Sequence, residues 1–306
     1  MNWVSSTMAQ MVNMREMYEA MTIPELSFRS LRLQLKLDRY GNLLTYARNN
    51  ALITKAYLDG SLVAVKCYLT PRGNIDKILS DDRVLSSPLL IPCRLYKDEF
   101  TILLSDGTKS CHDVVITPWI AGGTLDEAIL LAAREKDAAS LALLAERFDR
   151  FALALLDAPF AHGDVKPENI IISDGGEFRL IDLDAVWTPA ITCCEELGTA
   201  EYQHPRRDEK FFGPNIDDYP IALISVALHA LADLPHIADE HTVLPFDSTL
   251  VVSTQSAYKE ALAHFRKSDN VALLRLAKQL TKKRPAIENL REMISELVTQ
   301  QQNDER

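Results

Sequence analysis

The most informative segment of the chain runs from His162 to Asn169 and reads HGDVKPEN. Within six positions it carries a carboxylate (Asp164), an ammonium group (Lys166) and the side-chain amide of Asn169. The glycine and the proline inside the segment disfavour a helix, so these three polar groups are predicted to lie on a loop.

A second acidic position follows 13 residues after Asn169. Asp182 stands in the apolar run Leu180–Leu183, at the end of a strand-like stretch. Gly175 and Gly176 supply a tight turn between this stretch and the one after Asn169. The pattern therefore predicts a hairpin that brings Asn169 and Asp182 close together.

These four polar side chains have the functional groups that phosphoryl transfer requires. Asp164 can orient a hydroxyl group and accept its proton, and Lys166 can offset the charge of a transferred phosphoryl group. The oxygens of Asn169 and Asp182 are ligands of the kind that Mg²⁺ takes. The alternative is a polar turn between two helices, and the recurrence of a carboxylate at Asp182 argues against it.

On these residues the chain resembles the protein kinase family, across nearly its whole length. The family's catalytic-loop pattern H-R-D-x-K-x-x-N is matched at 162–169. The other family motifs follow in the expected order: VAVK at 63–66, TPWIAGGTL at 117–125, DLD at 182–184, GTAEYQHP at 198–205, DDY at 217–219 and RPA at 284–286.

The resemblance implies an α+β chain with a two-lobed protein kinase-like fold. A small antiparallel β N-lobe of five strands and one helix would be hinged to a mainly helical C-lobe. The expected boundaries are an N-terminal helical extension at 1–21, the N-lobe at 22–117, the hinge and C-lobe at 118–300, and a tail at 301–306.

The resemblance also assigns roles to individual residues. Asp164, Lys166 and Thr199 would be catalytic, and Thr199 together with Lys166 favours Ser or Thr over Tyr as the phosphate acceptor. Asn169 and Asp182 would bind the metal, Mg²⁺. The helix that starts at Asp217 would brace the catalytic loop.

ATP would be bound by residues on the N-terminal side of the loop and at the hinge. Lys66 would bind the α- and β-phosphates, although taken alone it is equally well a lysine on the surface of an edge strand. The expected ATP-binding residues are Lys66, Asp76 as the partner of that lysine, Asn49, Asn50, Thr117, Pro118 and Ile120.

Several positions depart from the family pattern. No G-x-G-x-x-G precedes Lys66, and only Asn49 and Asn50 stand where the phosphate-binding turn should lie. The helix glutamate that pairs with the lysine has no clear equivalent, and Asp76 is one methylene shorter. Asp184 replaces the last glycine of D-F-G, either as a second metal-directed carboxylate or as a solvated or capping aspartate.

Two further departures concern arginines. Gly163 replaces the arginine that reads an activation-loop phosphate in many kinases, so phosphorylation of Thr192 is not expected to order the loop. Arg206 stands where the family has a glutamate, which leaves the usual partner, Arg284, to bond elsewhere.

The leading hypothesis is an ATP- and Mg-dependent phosphotransferase that phosphorylates Ser or Thr hydroxyls of proteins. The glycine-poor phosphate loop and the missing glutamates keep open a pseudokinase-like module that binds nucleotide and regulates a partner. Gly163 keeps open a small-molecule kinase, because kinases of the aminoglycoside and choline type share the H-G-D variant.

Composition is typical of a soluble globular protein: 306 residues, 47% hydrophobic and 25% charged. The formal net charge of −10 argues against a general surface for nucleic acid or anionic membranes. Five cysteines without metal-ligand spacing, no signal peptide and no apolar run of membrane-spanning length predict a cytoplasmic protein. The adjacent Cys193 and Cys194 are either a redox element or two incidental thiols. The oligomeric state cannot be read from the sequence.

Hydrophobic periodicity predicts the secondary structure. Methionines at helical spacing predict an amphipathic helix over 2–21, either packed on the protein or offered to a partner. Strands are expected within 26–68, including the alternating run Leu31–Leu37 and the segment 62–68, and again at 114–116. Helices are expected at 71–82, 125–136, 139–156, 217–232, 257–278 and 286–299.

Overall fold

The structure is a computed structural model that describes residues 12–48, 50–239, 241–252, 256–268 and 270–304. The chain divides into two compact units. The first extends to Leu79 and takes in Pro92–Trp119, and the second comprises Ser80–Ile91 and the chain from Ile120 onward. Helices and antiparallel sheets make it an α+β protein, compatible with a two-lobed fold.

An antiparallel sheet forms the centre of the first unit. Its order is β1-β3-β4-β6-β5, and β2 also pairs with β3. The predicted count of five strands is wrong, because the described residues form six: β1 (Leu33–Leu35), β2 (Thr45–Arg48), β3 (Ala51–Leu58), β4 (Ser61–Tyr68), β5 (Arg94–Leu103) and β6 (Lys109–Pro118).

The hairpin between β3 and β4 follows from its sequence. Asp59 and Gly60 both have positive φ, 50° and 80°, which is the backbone that a two-residue type I′ turn requires. Along β4, Val63 and Val65 are buried in the core, whereas Lys66 points to the opposite face and is half-buried. The predicted strand at 62–68 is therefore confirmed.

Three short helices accompany this sheet. Helix α1 (Met14–Met21) begins with a capping box formed by Asn13 and Glu16, and its Met17 is fully buried in the core of the unit. Residues 2–11 of the predicted helix lie outside the described residues. Residues 26 and 27, where the predicted strands were expected to begin, instead form the end of α2 (Pro24–Ser27). Helix α3 (Ile75–Ile78) occupies part of the helix predicted at 71–82.

The second unit is mainly helical. Nearly all residues of α7 are buried, and α7 packs against α6 and α9 at the centre of the unit. The single helix predicted at 257–278 is wrong, because Asn270 caps a new helix there by accepting a hydrogen bond from Leu273 N. The helices of this unit are α4 (Asp82–Leu85), α5 (Leu125–Glu135), α6 (Ala138–Leu156), α7 (Asp218–Asp233), α8 (Ala257–Phe265), α9 (Val271–Gln279) and α10 (Leu290–Asp304).

A small three-stranded sheet lies beside these helices. Strand β8 (Ile170–Ser173) is central and pairs with β7 (Gly122–Thr124) and β9 (Phe178–Leu180). Gly176, with φ of 78°, lies in the turn between β8 and β9. This turn confirms the predicted hairpin between 169 and 182. No helix among the described residues combines the length and the apolar character that crossing a membrane requires.

Candidate functional site

The segment His162–Asn169 joins α6 to β8. As predicted from its glycine and proline, it is a loop and not an α-helix. Its last three residues form a single 3₁₀ turn that begins with Pro167, a position where a missing N–H costs nothing. The N–H of Asn169 donates to the carbonyl of Lys166 at 3.0 Å and closes that turn. The loop is therefore ordered by its own backbone bonds as well as by the neighbours described next.

Asp217, immediately before α7, holds the start of this loop. Its carboxylate accepts hydrogen bonds from the backbone N–H of His162 at 2.5 Å and of Gly163 at 2.8 Å. Burial raises the pKa of Asp217, although the nearby His162 and these two bonds oppose the shift. The structure thus joins the segment to the start of α7, where the sequence expected a brace.

Gly163 has a backbone conformation that excludes a side chain. Its φ is +81°, and a Cβ atom at this position would lie 2.2 Å from the carbonyl oxygen of Ala185. Its own carbonyl accepts hydrogen bonds from Arg207 at 3.0 Å and from Gln203 at 3.4 Å. Glycine is therefore required here for its backbone conformation, a reason separate from the replaced arginine and the H-G-D variant that the sequence analysis noted.

Arg207 and Gln203 are site residues that sequence reasoning missed. Burial lowers the pKa of Arg207, and the side chains of the two residues also bond to each other. Their spacing of four residues suggests that the two side chains could contact each other. It does not predict that both would bind the carbonyl of Gly163, which is 40 or more residues away in the sequence. Their effect is to fix the peptide group just before Asp164.

The three residues expected to be catalytic come together. The N–H of Thr199 donates to Asp164 Oδ1 at 2.6 Å, and Lys166 Nζ donates to Thr199 Oγ1 at 2.7 Å. Lys166 Nζ also lies 3.4 Å from Asp164 Oδ2. The side chains of Asp164 and Lys166 are 15% and 17% exposed, so the pair is largely desolvated yet still reachable from solvent.

The two expected metal ligands flank the same loop. Asn169 Nδ2 donates to Asp164 O at 2.9 Å and to Asp164 Oδ2 at 3.0 Å, which leaves the amide oxygen, the atom that Mg²⁺ prefers. Asp182 has a left-handed backbone, φ 68° and ψ 76°, which is uncommon for a residue other than glycine. Conformations of this kind recur at functional sites.

Ile181 ties Asp182 to the loop through its backbone. Its N–H donates to Asn169 O at 3.0 Å, and its carbonyl lies 2.9 Å from Nε2 of His162. In the described ranges no three His, Cys, Asp or Glu side chains gather as metal ligands. The donor set here, one amide and one carboxylate oxygen, suits a hard cation that keeps water or phosphate as its remaining ligands.

Glu168, inside the loop, is a further polar residue that the sequence did not single out. Burial raises the pKa of its carboxyl group. The charges of Asp126 and Asp164 raise this pKa further, whereas Lys166 lowers it. The hydroxyl of Tyr202 lies 3.5 Å from one carboxyl oxygen, and the other oxygen has no hydrogen-bond partner in the described chain.

The expected ATP-binding residues are divided between the two units. Lys66 lies on β4 opposite Val115 of β6, and its Nζ is 5.2 Å from the ring centre of Tyr68. Thr117 and Pro118 end β6, paired with β4, whereas Ile120 belongs to the second unit.

Asp76 has a partner other than the one the sequence suggested. Its carboxylate forms an ion pair with Lys97 Nζ at 2.7 Å, and both side chains are 58% exposed. The hydroxyl of Thr70 donates to Asn50 Oδ1 at 2.6 Å, and Asn50 Nδ2 donates to the backbone carbonyl of Thr70 at 3.4 Å. Asn49 lies outside the described residues.

Comparison with known proteins points in one direction. No protein-family model matches the chain. Over 168 residues it is 30% identical to the serine/threonine-protein kinase PknL of Mycobacterium tuberculosis, and equally to that of Mycobacterium bovis. The match takes in 53% of this chain and 39% of each relative, so the chain spans about two fifths of the length of these curated relatives. The similarity supports a kinase-like relationship over about half of the chain.

Proposed function

We propose that this chain, kinase-like over about half its length, is an ATP- and Mg²⁺-dependent phosphotransferase that acts on Ser or Thr hydroxyls of proteins. The observation that carries the proposal is the hydrogen-bonded set Asp164, Lys166 and Thr199. A lone carboxylate on a loop would be unremarkable. A carboxylate held at both oxygens, beside an ammonium group that is itself positioned, suits transfer of a charged group.

Each side chain of the set has a separate task. Asp164 orients the acceptor hydroxyl and takes its proton through whichever carboxylate oxygen faces the substrate. Lys166 offsets the negative charge of the transferred group, and the Thr199 hydroxyl fixes the position of that ammonium group. The N–H of Thr199 keeps the carboxylate from rotating. Positioning of this kind accounts for most of the catalysis of phosphoryl transfer.

Asn169 and Asp182 would hold Mg²⁺, which neutralises charge on the phosphates when bound. The amide nitrogen of Asn169 already donates to Asp164, which presents the amide oxygen as the free ligand atom. The backbone bonds of Ile181, the residue before Asp182, to Asn169 and His162 support this pairing of ligands. The metal ligands and the hydroxyl-orienting carboxylate would therefore move as one body.

ATP would be bound by Lys66, Asn49, Asn50, Thr117, Pro118 and Ile120. We further propose an N-lobe at 22–117, most of which belongs to the first unit, and a hinge and C-lobe at 118–300, most of which belongs to the second. Pro118 offers a carbonyl and Ile120 an amide N–H, the acceptor and donor that an adenine edge needs.

The ion pair of Asp76 with Lys97 favours a second candidate function, a module that binds nucleotide and regulates a partner without turnover. In this ion pair Asp76 does not take the place that the helix glutamate has in the kinase family, which is the departure that favours a regulatory module.

The test compares wild type with Asp164→Asn in MgATP, measuring ADP release with a protein mixture and with a metabolite mixture as acceptors. Asp174→Asn, an exposed carboxylate in the nearby hairpin turn, is the matched control. We expect Asp164→Asn to lose about 10²–10⁴-fold in rate, and Asp174→Asn to keep wild-type activity.

Equal rates for wild type and Asp164→Asn would rule out the proposed enzyme. MgATP binding by both proteins without turnover in either would establish the regulatory module instead. Turnover with metabolites alone would move the acceptor from proteins to small molecules.

A further inference from the structure

A cavity of about 310 Å³ lies in the second unit, behind the loop that carries Asp164. It is lined by the end of α6, the start of α7 and the start of α10. Its volume corresponds to about ten water molecules at the density of the liquid. Phe160, Ile287 and Leu290 give it apolar walls, and Asp217, Asp218 and Asn215 supply polar groups.

Asp218 is the unusual member of this wall. It is only 3% exposed, and its two hydrogen bonds are long and both fall on Oδ2: 3.2 Å from Asn215 Nδ2 and 3.4 Å from the N–H of Ile287. Its Oδ1 accepts no hydrogen bond from the described residues. Burial raises the pKa of Asp218 to about 7. A buried carboxylate with so few donors lacks a counter-charge.

The charged groups around the cavity do not supply that counter-charge. Asp217 accepts hydrogen bonds from the loop, and its own charge opposes ionisation of Asp218. Arg291, on the wall from α10, forms a two-bond ion pair with Asp157 at 2.5 and 2.9 Å. The cavity therefore combines a buried carboxylate without a counter-charge and several apolar side chains in its lining.

We propose that this cavity binds a small organic cation, a primary amine or a guanidinium carried on a short apolar group, with the charged end on Asp218. The apolar walls at Phe160, Ile287 and Leu290 would hold the carbon portion, and Asn215 would accept a further hydrogen bond through its amide oxygen. This is a binding site separate from the proposed phosphotransfer site.

Occupancy of the cavity would act on the loop through Asp217. Asp217 and Asp218 are consecutive, and Asp217 holds the N–H groups of His162 and Gly163. A cation that settles beside Asp218 would alter the position or the charge state of Asp217 and so the backbone that leads to Asp164. Because coupling between two sites is reciprocal, a ligand at the loop would change cation affinity by the same factor.

The test is isothermal calorimetry of the full chain without nucleotide, so its outcome does not depend on phosphotransfer. The probe is n-butylguanidinium, and the neutral, similarly shaped n-butylurea is the control ligand. We expect binding of the cation alone. Affinity should rise about tenfold from pH 6 to pH 8, because a carboxyl group with a pKa of about 7 is ~9% ionised at the first and ~91% at the second.

Two variants locate the site. Asp218→Asn removes the charge, and Ala158→Trp fills the cavity from its wall without changing any charge. Both should abolish cation binding, whereas Asp174→Asn should bind as wild type does. Equal binding of cation and urea, no binding at all, or unchanged binding by the two variants would overturn the proposal. If neither variant folds, the ligand and pH comparisons on wild type decide the question.

Discussion

Replacing Thr199 with valine isolates the hydroxyl that positions Lys166. Valine keeps the shape of threonine and leaves the backbone bond from residue 199 to Asp164 Oδ1 intact, so the change removes only the acceptor 2.7 Å from Lys166 Nζ. A hydrogen bond to a charged group is worth about 1.5–3 kcal/mol. At 1.36 kcal/mol per factor of ten, the expected loss in kcat/KM is roughly ten- to 150-fold.

The assay is steady-state phosphotransfer, with MgATP affinity measured separately. The expected loss lies mainly in kcat, since Lys166 would act on charge that develops during transfer. Thr199→Ser retains a hydroxyl and should recover most of the activity, and Thr192→Val, an exposed threonine on the same segment, should match wild type. If valine is as active as threonine, or if serine is as impaired as valine, the hydroxyl does not position the ammonium group.

Three further predictions concern stability and can be checked by chemical denaturation. Gly163→Ala should lower the free energy of unfolding by more than ~2 kcal/mol. Backbone strain accounts for about 1–2 kcal/mol of this loss, and the 2.2 Å contact between the new Cβ and the carbonyl oxygen of Ala185 for the rest. Gly213→Ala, where a Cβ would meet open space, should change the free energy of unfolding little. The imidazole of His229 lies 2.8 Å from Asp149; burial lowers the pKa of His229, but the neighbouring carboxylates raise it more, so the net shift is upward. The stability that His229 contributes should therefore be full below about pH 6.5 and disappear as pH rises through the raised pKa. A stability difference between wild type and His229→Gln that grows with pH would contradict this. Met17→Ala should cost about 2–5 kcal/mol through an internal cavity, and a loss below 1 kcal/mol would show that α1 is not part of the core.

The sequence predicted the elements whose signals are local. The loop at 162–169, the hairpin between β8 and β9 and the turn at Asp59 follow from glycine, proline and apolar periodicity, and each of them is found. The long helices α5, α6 and α7 were predicted to within a residue or two of their observed ends. These features depend on neighbours only a few positions away.

The features that the sequence missed depend on competition between distant partners. Asp76 is closer in sequence to Lys66, but Lys97 captures its carboxylate. Arg207 reaches back 44 residues to the carbonyl of Gly163, and no spacing rule predicts that bond. A new helix, α9, begins after Asn270 because the side chain of Asn270 accepts a hydrogen bond from the backbone of its first turn. Hydrophobic periodicity alone predicted one continuous helix through this position.

The backbone bonds of Ile181 have a consequence for how this site tolerates sequence change. Ile181 contacts Asn169 and His162 through its backbone N–H and carbonyl. Every amino acid except proline could form both of these hydrogen bonds. A saturation library at position 181 should therefore be nearly flat among apolar replacements, with proline as the sharp exception. Substitution experiments would therefore not detect the role of this residue, because most replacements keep its backbone hydrogen bonds.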